Sequence, residues 1–416
     1  MLSRARILAA LPAALLLAAC GPSPRPPGAP ALEHAAYVWA PKWGPETSLA
    51  VAADRLPEEV RRLRVYVGST HQAEGHRAFP VDWPALVRSG RHLSLVVAVG
   101  PASANFRDEP DLGPAGDLLA EAVAAARAAE APVVRVQLEV DCPPGKLAGY
   151  ASALEAFRRR FPGLELAVSV LPAWLERPDV TLVVAQADRF TLHLSPGYAL
   201  GGGHGRPDFR SAERWVADAA RLGRPFRVGI PITSHFLCYD ANGGLLASVP
   251  VGRSAPAGTA RAEPVVADPV ALPAFVRRME THSPGLLEGL DWMRLPVPGD
   301  AGTWSREGMV AALRGEPVRR AAKAVLVPED AITRVVVAND GMVPVPAPAV
   351  RVSWKTGQVQ ACDAVAPWEI HLSASAGFRL LPGEGASLVP AGESSTAGWV
   401  RFAAPPEGLD AALAER

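Results

Sequence analysis

From about residue 36, short apolar runs alternate with amphipathic stretches for fewer than 300 residues. The apolar runs at 36–40, 63–68, 93–99, 133–141, 164–171, 189–195, 226–231 and 289–296 have the length and composition of strands. Helix candidates lie between them, at 54–63, 81–89, 113–130, 147–160, 179–187, 209–222, 269–281 and 305–314. Strands alternating with helices imply parallel βαβ units. Eight such units in this length fit an α/β fold of the (β/α)8 barrel type better than an open sheet. No glycine fingerprint follows the first strand, which argues against a dinucleotide-binding sheet.

Past Gly315 the pattern changes to short β runs at 324–327, 332–337, 349–354, 369–372, 378–381 and 399–403, with no helical pattern until the last few residues. Asn339-Asp340-Gly341 is a strong turn signal. The expected organisation is a barrel over 34–318 followed by a small C-terminal antiparallel β-sandwich over 322–405. One connection is long: His235 to Asp268 carries Asp240-Ala241-Asn242-Gly243-Gly244 between apolar runs and reads as a hairpin inserted after strand seven. Long loops after barrel strands usually shape or cover a site.

Residues 133–141 read Val-Val-Arg-Val-Gln-Leu-Glu-Val-Asp. Side chains alternate across a strand, so Gln137, Glu139 and Asp141 share a face and Leu138 and Val140 take the other. Two carboxylates at a strand's C-terminal end are costly to place in a core, but in a β/α barrel that end is the mouth, where active sites sit. Two residues along a strand span roughly 6.6 Å, compatible with an acid–base pair.

Other strand ends bring Tyr37, Trp39 and Trp43, Ser169 and Trp174, His193, Thr233 and His235, and Trp292 with Arg294 toward the same mouth. Strand six runs on to Tyr198 and the glycine-rich 201–205 segment. Aromatic rings with carboxylates suit a sugar ligand, the rings stacking on its apolar faces while acids bond hydroxyls or move protons. Each residue also has a plainer reading. Trp39 and Trp292 can fill the core, His193 can be a hydrogen-bonded core residue, and Arg294 can be the countercharge that buried Glu139 or Asp141 requires. His71, Glu74 and His76 are near enough for a metal, but no zinc-type spacing supports one and no metal is expected. The glycine run lacks the Lys-Ser/Thr of a phosphate loop, and no cofactor is expected.

Basic and acidic residues number 42 each, so the zero net charge gives no support to nucleic-acid binding. The first residues, Met1-Leu2-Ser3-Arg4-Ala5-Arg6, precede an apolar run from Ile7 to Ala19 and then Cys20. A basic start, a short apolar core and a small-residue exit make a secretory signal over 1–19, too short to span a bilayer comfortably. Leu17-Ala18-Ala19-Cys20 matches a bacterial lipobox with Cys20 as the lipidated first residue, and the Pro-rich 20–33 stretch reads as a tether. Gly21 rather than Asp after Cys20 favours the outer membrane of a two-membrane cell. Cys142, Cys238 and Cys362 then remain, an odd number for an exported chain, and are read as buried thiols.

Tyr37-Val38-Trp39, Gln137-x-Glu139-x-Asp141, the segment Ser169-Val170-Leu171-Pro172-Ala173-Trp174-Leu175 and Leu222-Gly223-Arg224-Pro225-Phe226-Arg227-Val228 together resemble a bacterial exported lipoprotein family, domain-of-unknown-function family 3142, over roughly residues 36–297. The resemblance implies a barrel and an exported protein. A fainter one is to chitinase-like glycoside hydrolases, which carry Asp-x-Asp-x-Glu along strand four and a tryptophan on strand eight. Gln137, Glu139 and Asp141 stand at the three acid positions and Trp292 at the tryptophan. The resemblance implies that Asp141 protonates the leaving oxygen and Glu139 orients the substrate. Gln137 is not an acid, and Asp141 is shorter than the family's Glu. Three functions follow: a surface-anchored glycan hydrolase, a non-catalytic glycan- or peptidoglycan-binding lipoprotein, and a structural envelope lipoprotein. In each the membrane partner is reached through Cys20, and in the first two a glycan or other small-molecule or polymer ligand sits at the mouth.

Overall fold

A computed structural model describes residues 30–71, 75–100, 111–194, 209–373, 377–383 and 387–414. The signal segment, Cys20, Glu74, Tyr198 and the 201–205 glycine run lie outside the described residues. In chain order the first twelve strands are β1 (Glu33–Val38), β2 (Val60–His71), β3 (Gly75–Ala78), β4 (His92–Val99), β5 (Val133–Val140), β6 (Glu165–Val170), β7 (Arg189–His193), β8 (Phe226–Pro231), β9 (His235–Tyr239), β10 (Leu245–Pro250), β11 (Arg261–Val265) and β12 (Leu287–Met293). Hydrogen bonding runs β1-β12-β8-β7-β6-β5-β4-β2 and closes from β2 back to β1. All eight pairings are parallel, so these strands form a closed barrel. The helices α1 (Pro45–Ala50), α2 (Trp83–Arg88), α3 (Gly113–Ala128), α4 (Leu147–Arg158), α5 (Val180–Ala185), α6 (Phe209–Ala220), α7 (Ala271–Thr281) and α8 (Arg306–Leu313) follow the eight barrel strands in turn.

Alternation along each strand divides its side chains between two environments. On β5, Val136, Leu138 and Val140 face outward into the apolar layer shared with Leu147, Tyr150 and Leu154 of α4. The opposite set faces the lumen, which is unusually charged: Arg64, Arg135, Arg227 and Asp291 are all buried. The lumen therefore depends on ion pairing where barrels ordinarily use branched apolar residues.

Two expectations shift. The helix expected over 54–63 is a run of turns leading into β2, and the helix after β1 lies earlier, at α1. Leu63, Val65 and Val67 alternate with Arg64 and Tyr66, and the strand itself begins at Val60. The long insertion is a three-stranded antiparallel sheet, β10-β9-β11, rather than a simple hairpin. Its turn is fastened by Asp240 Oδ1, which accepts from the backbone N–H groups of Asn242 and Gly244, both at 2.8 Å. Gly243 supplies the positive φ of 82° there.

The remaining strands are β13 (Lys323–Glu329), β14 (Ile332–Ala338), β15 (Val345–Pro346), β16 (Ala349–Ser353), β17 (Val359–Ala364), β18 (Trp368–Leu372), β19 (Gly377–Pro382), β20 (Leu388–Val389), β21 (Ser394–Phe402) and β22 (Asp410–Ala414). The sheets β13-β14-β21-β17 and β18-β19-β16-β22 share one core built on Val335, Val337, Val350, Val352, Phe378 and Val400. The expected helical ending is instead β22, paired antiparallel with β16, so strands run to Ala414 rather than stopping near 405. Cys142 and Cys238 are buried free thiols and Cys362 a half-buried one. Among the described residues no helix is long and apolar enough to cross a membrane.

Candidate active site at the barrel mouth

β5 carries Gln137 and Glu139 into the lumen and ends just before Asp141, which continues the same face into the open mouth. Gln137 is fully buried and acts as a connector. Its side-chain oxygen accepts from Arg64 Nη1. Its Nε2 donates to Tyr37 Oη at 2.8 Å and to Glu139 Oε1 at 3.3 Å. Tyr66 of β2 donates its hydroxyl to Glu139 Oε2. His193 Nε2 lies 3.4 Å from Glu139 Oε1, 3.3 Å from Tyr37 Oη and 3.3 Å from Ser169 Oγ. The Glu139 carboxylate is thus gripped at both oxygens, while Asp141 stands exposed beyond it.

Burial pushes the phenol of Tyr66 well above its usual range, and the negative charge of Glu139 adds to the rise. Tyr37 rises for the same first reason, against the opposing pull of Arg64. Both therefore keep their protons at neutral pH, and Tyr66 serves as a donor to Glu139.

A cavity of about 550 Å³ opens over this group, and both Glu139 and Asp141 face it. One wall is aromatic. Trp39 packs edge-on against Tyr66, with ring centroids 4.3 Å apart, and against Phe79 at 5.9 Å. The other side is formed by Thr233, His235 and Arg294 and by the turn after β10, including Arg253. The inserted sheet thus walls the mouth. Among the described residues no group of three or more His, Cys, Asp or Glu side chains is placed to hold a metal.

The sequence-selected residues therefore divide. Tyr37, Trp39, Glu139, Asp141, His193, His235 and Arg294 line the cavity, and Gln137 supports it from beneath. Trp174 and Trp292 are elsewhere. Trp174 lies in the turn after β6, buried against Tyr150 of α4, with Nε1 donating to the Cys142 carbonyl at 3.0 Å. Trp292 points outward from β12, stacks on His34 and donates to its Nδ1 at 3.1 Å. The cause is register: Gly289, Asp291 and Met293 take the inward face, so Trp292 belongs to the barrel–helix layer. Arg294 is held by Asp300, at 2.5 and 2.8 Å, rather than serving as the expected countercharge to the β5 acids. Sequence reasoning missed Arg64, Tyr66, Phe79 and Met293. The period-two rule used on 133–141, applied to 63–67, would have singled out Arg64 and Tyr66.

His235 is mostly buried between Thr233 and Ser248, each 3.4 Å away. Burial pushes its imidazole down to about 4, and the positive charge of Arg294 adds to the fall. The unfolded chain takes up this proton near 6.5, whereas the fold resists it until about 4. Stability from neutral His235 is therefore full above about 6.5 and lost as pH falls toward 4. His235→Gln should flatten the urea-midpoint profile between those pH values. An unchanged slope would show that His235 is not held neutral.

Residues 108–298 match the model of a family described as Domain of unknown function (DUF3142), within the stretch where the motifs resemble it. A search of the curated proteins finds no match. Among solved structures, the chain is similar to a chitinase from Bacillus thuringiensis, with 9% identity over 92% of this chain and 100% of that one and a TM-score of 0.43. It is also similar to the spore cortex-lytic enzyme of Bacillus cereus, with 11% identity over 69% and 75% of the two chains and a TM-score of 0.46. A chitinase from Bacteroides thetaiotaomicron gives 8% identity over 64% and 90%, with a TM-score of 0.41.

Proposed function

We propose that this chain is a lipid-anchored envelope protein whose barrel mouth binds and hydrolyses glycan. The observation that carries the reading is the meeting of Glu139 and Asp141 at one cavity walled by Trp39, Tyr37, Tyr66 and Phe79. Aromatic faces suit the apolar faces of sugars, and paired carboxylates suit the protonation and charge stabilisation that glycosidic cleavage needs. In this reading Asp141 is the general acid, because it is the carboxylate that stands out into the cavity. Glu139 orients the substrate and balances the positive charge that develops on the sugar ring. Its grip by Tyr66, Gln137 and His193 suits that role, since a pre-aimed carboxylate need not reorganise during the reaction. His193, His235 and Arg294 supply further polar contacts around the sugar.

The test is a panel of neutral, acidic and N-acetylated polysaccharides together with peptidoglycan, assayed for new reducing ends. Turnover of at least one is expected, and absence of turnover across the panel contradicts the reading. Anchoring rests on the lipobox around Cys20. Cys20→Ser should abolish labelling by a fatty-acid probe and release the protein from membranes. Continued labelling would overturn the anchor.

A further inference from the structure

Beneath the mouth, the lumen holds a row of donors on three adjacent strands. Arg64 of β2 pairs in register with Ser94 of β4, and Ser94 with Arg135 of β5. All three are buried. Arg64 Nε, Ser94 Oγ, Arg135 Nη1 and, one step below, Arg62 Nη1 have no hydrogen-bond partner among the described residues. A buried polar atom without a partner costs on the order of 1–3 kcal/mol, more when charged, so four on neighbouring strand positions call for a small partner that can accept from them.

The charges around the row are also unequal. Asp291 serves both Arg64 and Arg227, and Glu33 serves both Arg62 and Arg227. Glu165 is shared by Arg135 and Arg189, and Glu288 pairs with Arg189. Five guanidinium groups therefore face four carboxylates in the lower lumen, and the residue above the row, Gln137, is neutral. A cavity of about 710 Å³ at the N-terminal end of the barrel, lined by Arg62, Arg135 and His92, leads toward the row from solvent.

We propose that the Arg62–Arg64–Ser94–Arg135 cluster is a binding site for a single halide-sized anion, entering from the barrel floor. Each donor atom is shielded from solvent, which favours a small ion over a bulky one. Glu33, Glu165 and Glu288 around the entrance disfavour multivalent oxyanions such as phosphate. Burial, followed by the neighbouring charges of Arg64 and Arg62, pulls Arg135 down to about 10, whereas the burial of Arg64 is outweighed by the carboxylate of Asp291 together with Tyr37 and Glu139, which hold it up. Arg64 also grips Gln137, which holds Tyr37 and Glu139, so the anion would brace the floor of the mouth.

Crystals of the whole chain soaked in sodium bromide should show an anomalous peak in contact with Ser94 Oγ and the Arg135 guanidinium. No peak there, a water in its place, or bromide on the surface only would overturn the site. In solution, chloride at constant ionic strength should raise Tm, by roughly 3 °C at a hundredfold excess over Kd, while bulky gluconate should not. Ser94→Asp places a carboxylate in the row and should remove the chloride response. Equal responses to chloride and gluconate in the unmodified chain contradict the proposal, and the bromide experiment decides it even if the variant does not fold.

Discussion

Asp291→Ala is expected to cost about 4 kcal/mol or more of folding stability, from the range found when one partner of a buried pair is removed. Asp291 is fully buried, with Arg64 Nη2 at 2.7 Å and Arg227 Nε at 2.6 Å. Removing it leaves two buried guanidinium groups without their shared countercharge. Since whole domains have only about 5–15 kcal/mol in hand, this is a large share of the folding free energy. Burial by itself would raise the Asp291 carboxyl, but Arg227 and Arg64 outweigh it and hold the carboxyl below its ordinary range. Its contribution is therefore complete above about pH 3.9, the unfolded value, and falls away as pH drops through the lower folded value. The control is Asp117→Asn, which disrupts an exposed pair with Arg160 and should cost under about 1 kcal/mol. Urea titrations compare the two. An Asp291→Ala loss no larger than the control's would mean that lumen pairing does not sustain the barrel.

The second large effect is on chemistry. Asp141→Asn should lower kcat by about 10²–10⁴, the usual contribution of a positioned proton donor, with little change in KM. Asp141 is exposed at the strand end, so an isosteric amide should leave the urea midpoint almost unchanged. Loss of turnover with stability and glycan affinity intact separates a proton donor from a structural residue. If Asp141→Asn unfolds the protein, the acid is structural. If kcat is untouched, the donor is another group.

Much of the barrel was legible because its signal is local. The interval 133–141 shows the same alternation that β5 uses to divide Leu138 from Glu139. Tyr37 and His193, read from their places on strands one and six, do line the cavity. The spacing of Trp292 from Arg294 and its likeness to a strand-eight tryptophan point it to the mouth, but the inward face of β12 belongs to Asp291 and Met293. Trp174 misled similarly, since the turn after β6 folds it back against α4. The pairing of Asp291 with Arg64 was not readable, because barrel closure alone brings β12 and β2 residues together across the lumen. Arg294 had a nearer partner in Asp300, six residues on, than any acid on β5.

The most direct test of the central claim is reducing-end release from the polysaccharide panel by the wild-type chain and Asp141→Asn, with binding of the same polymers measured alongside. Turnover by the wild type, a drop of at least about a hundredfold in the variant, and similar binding by both are expected. Binding by both with turnover by neither, or equal turnover by both, would contradict a hydrolase driven by Asp141.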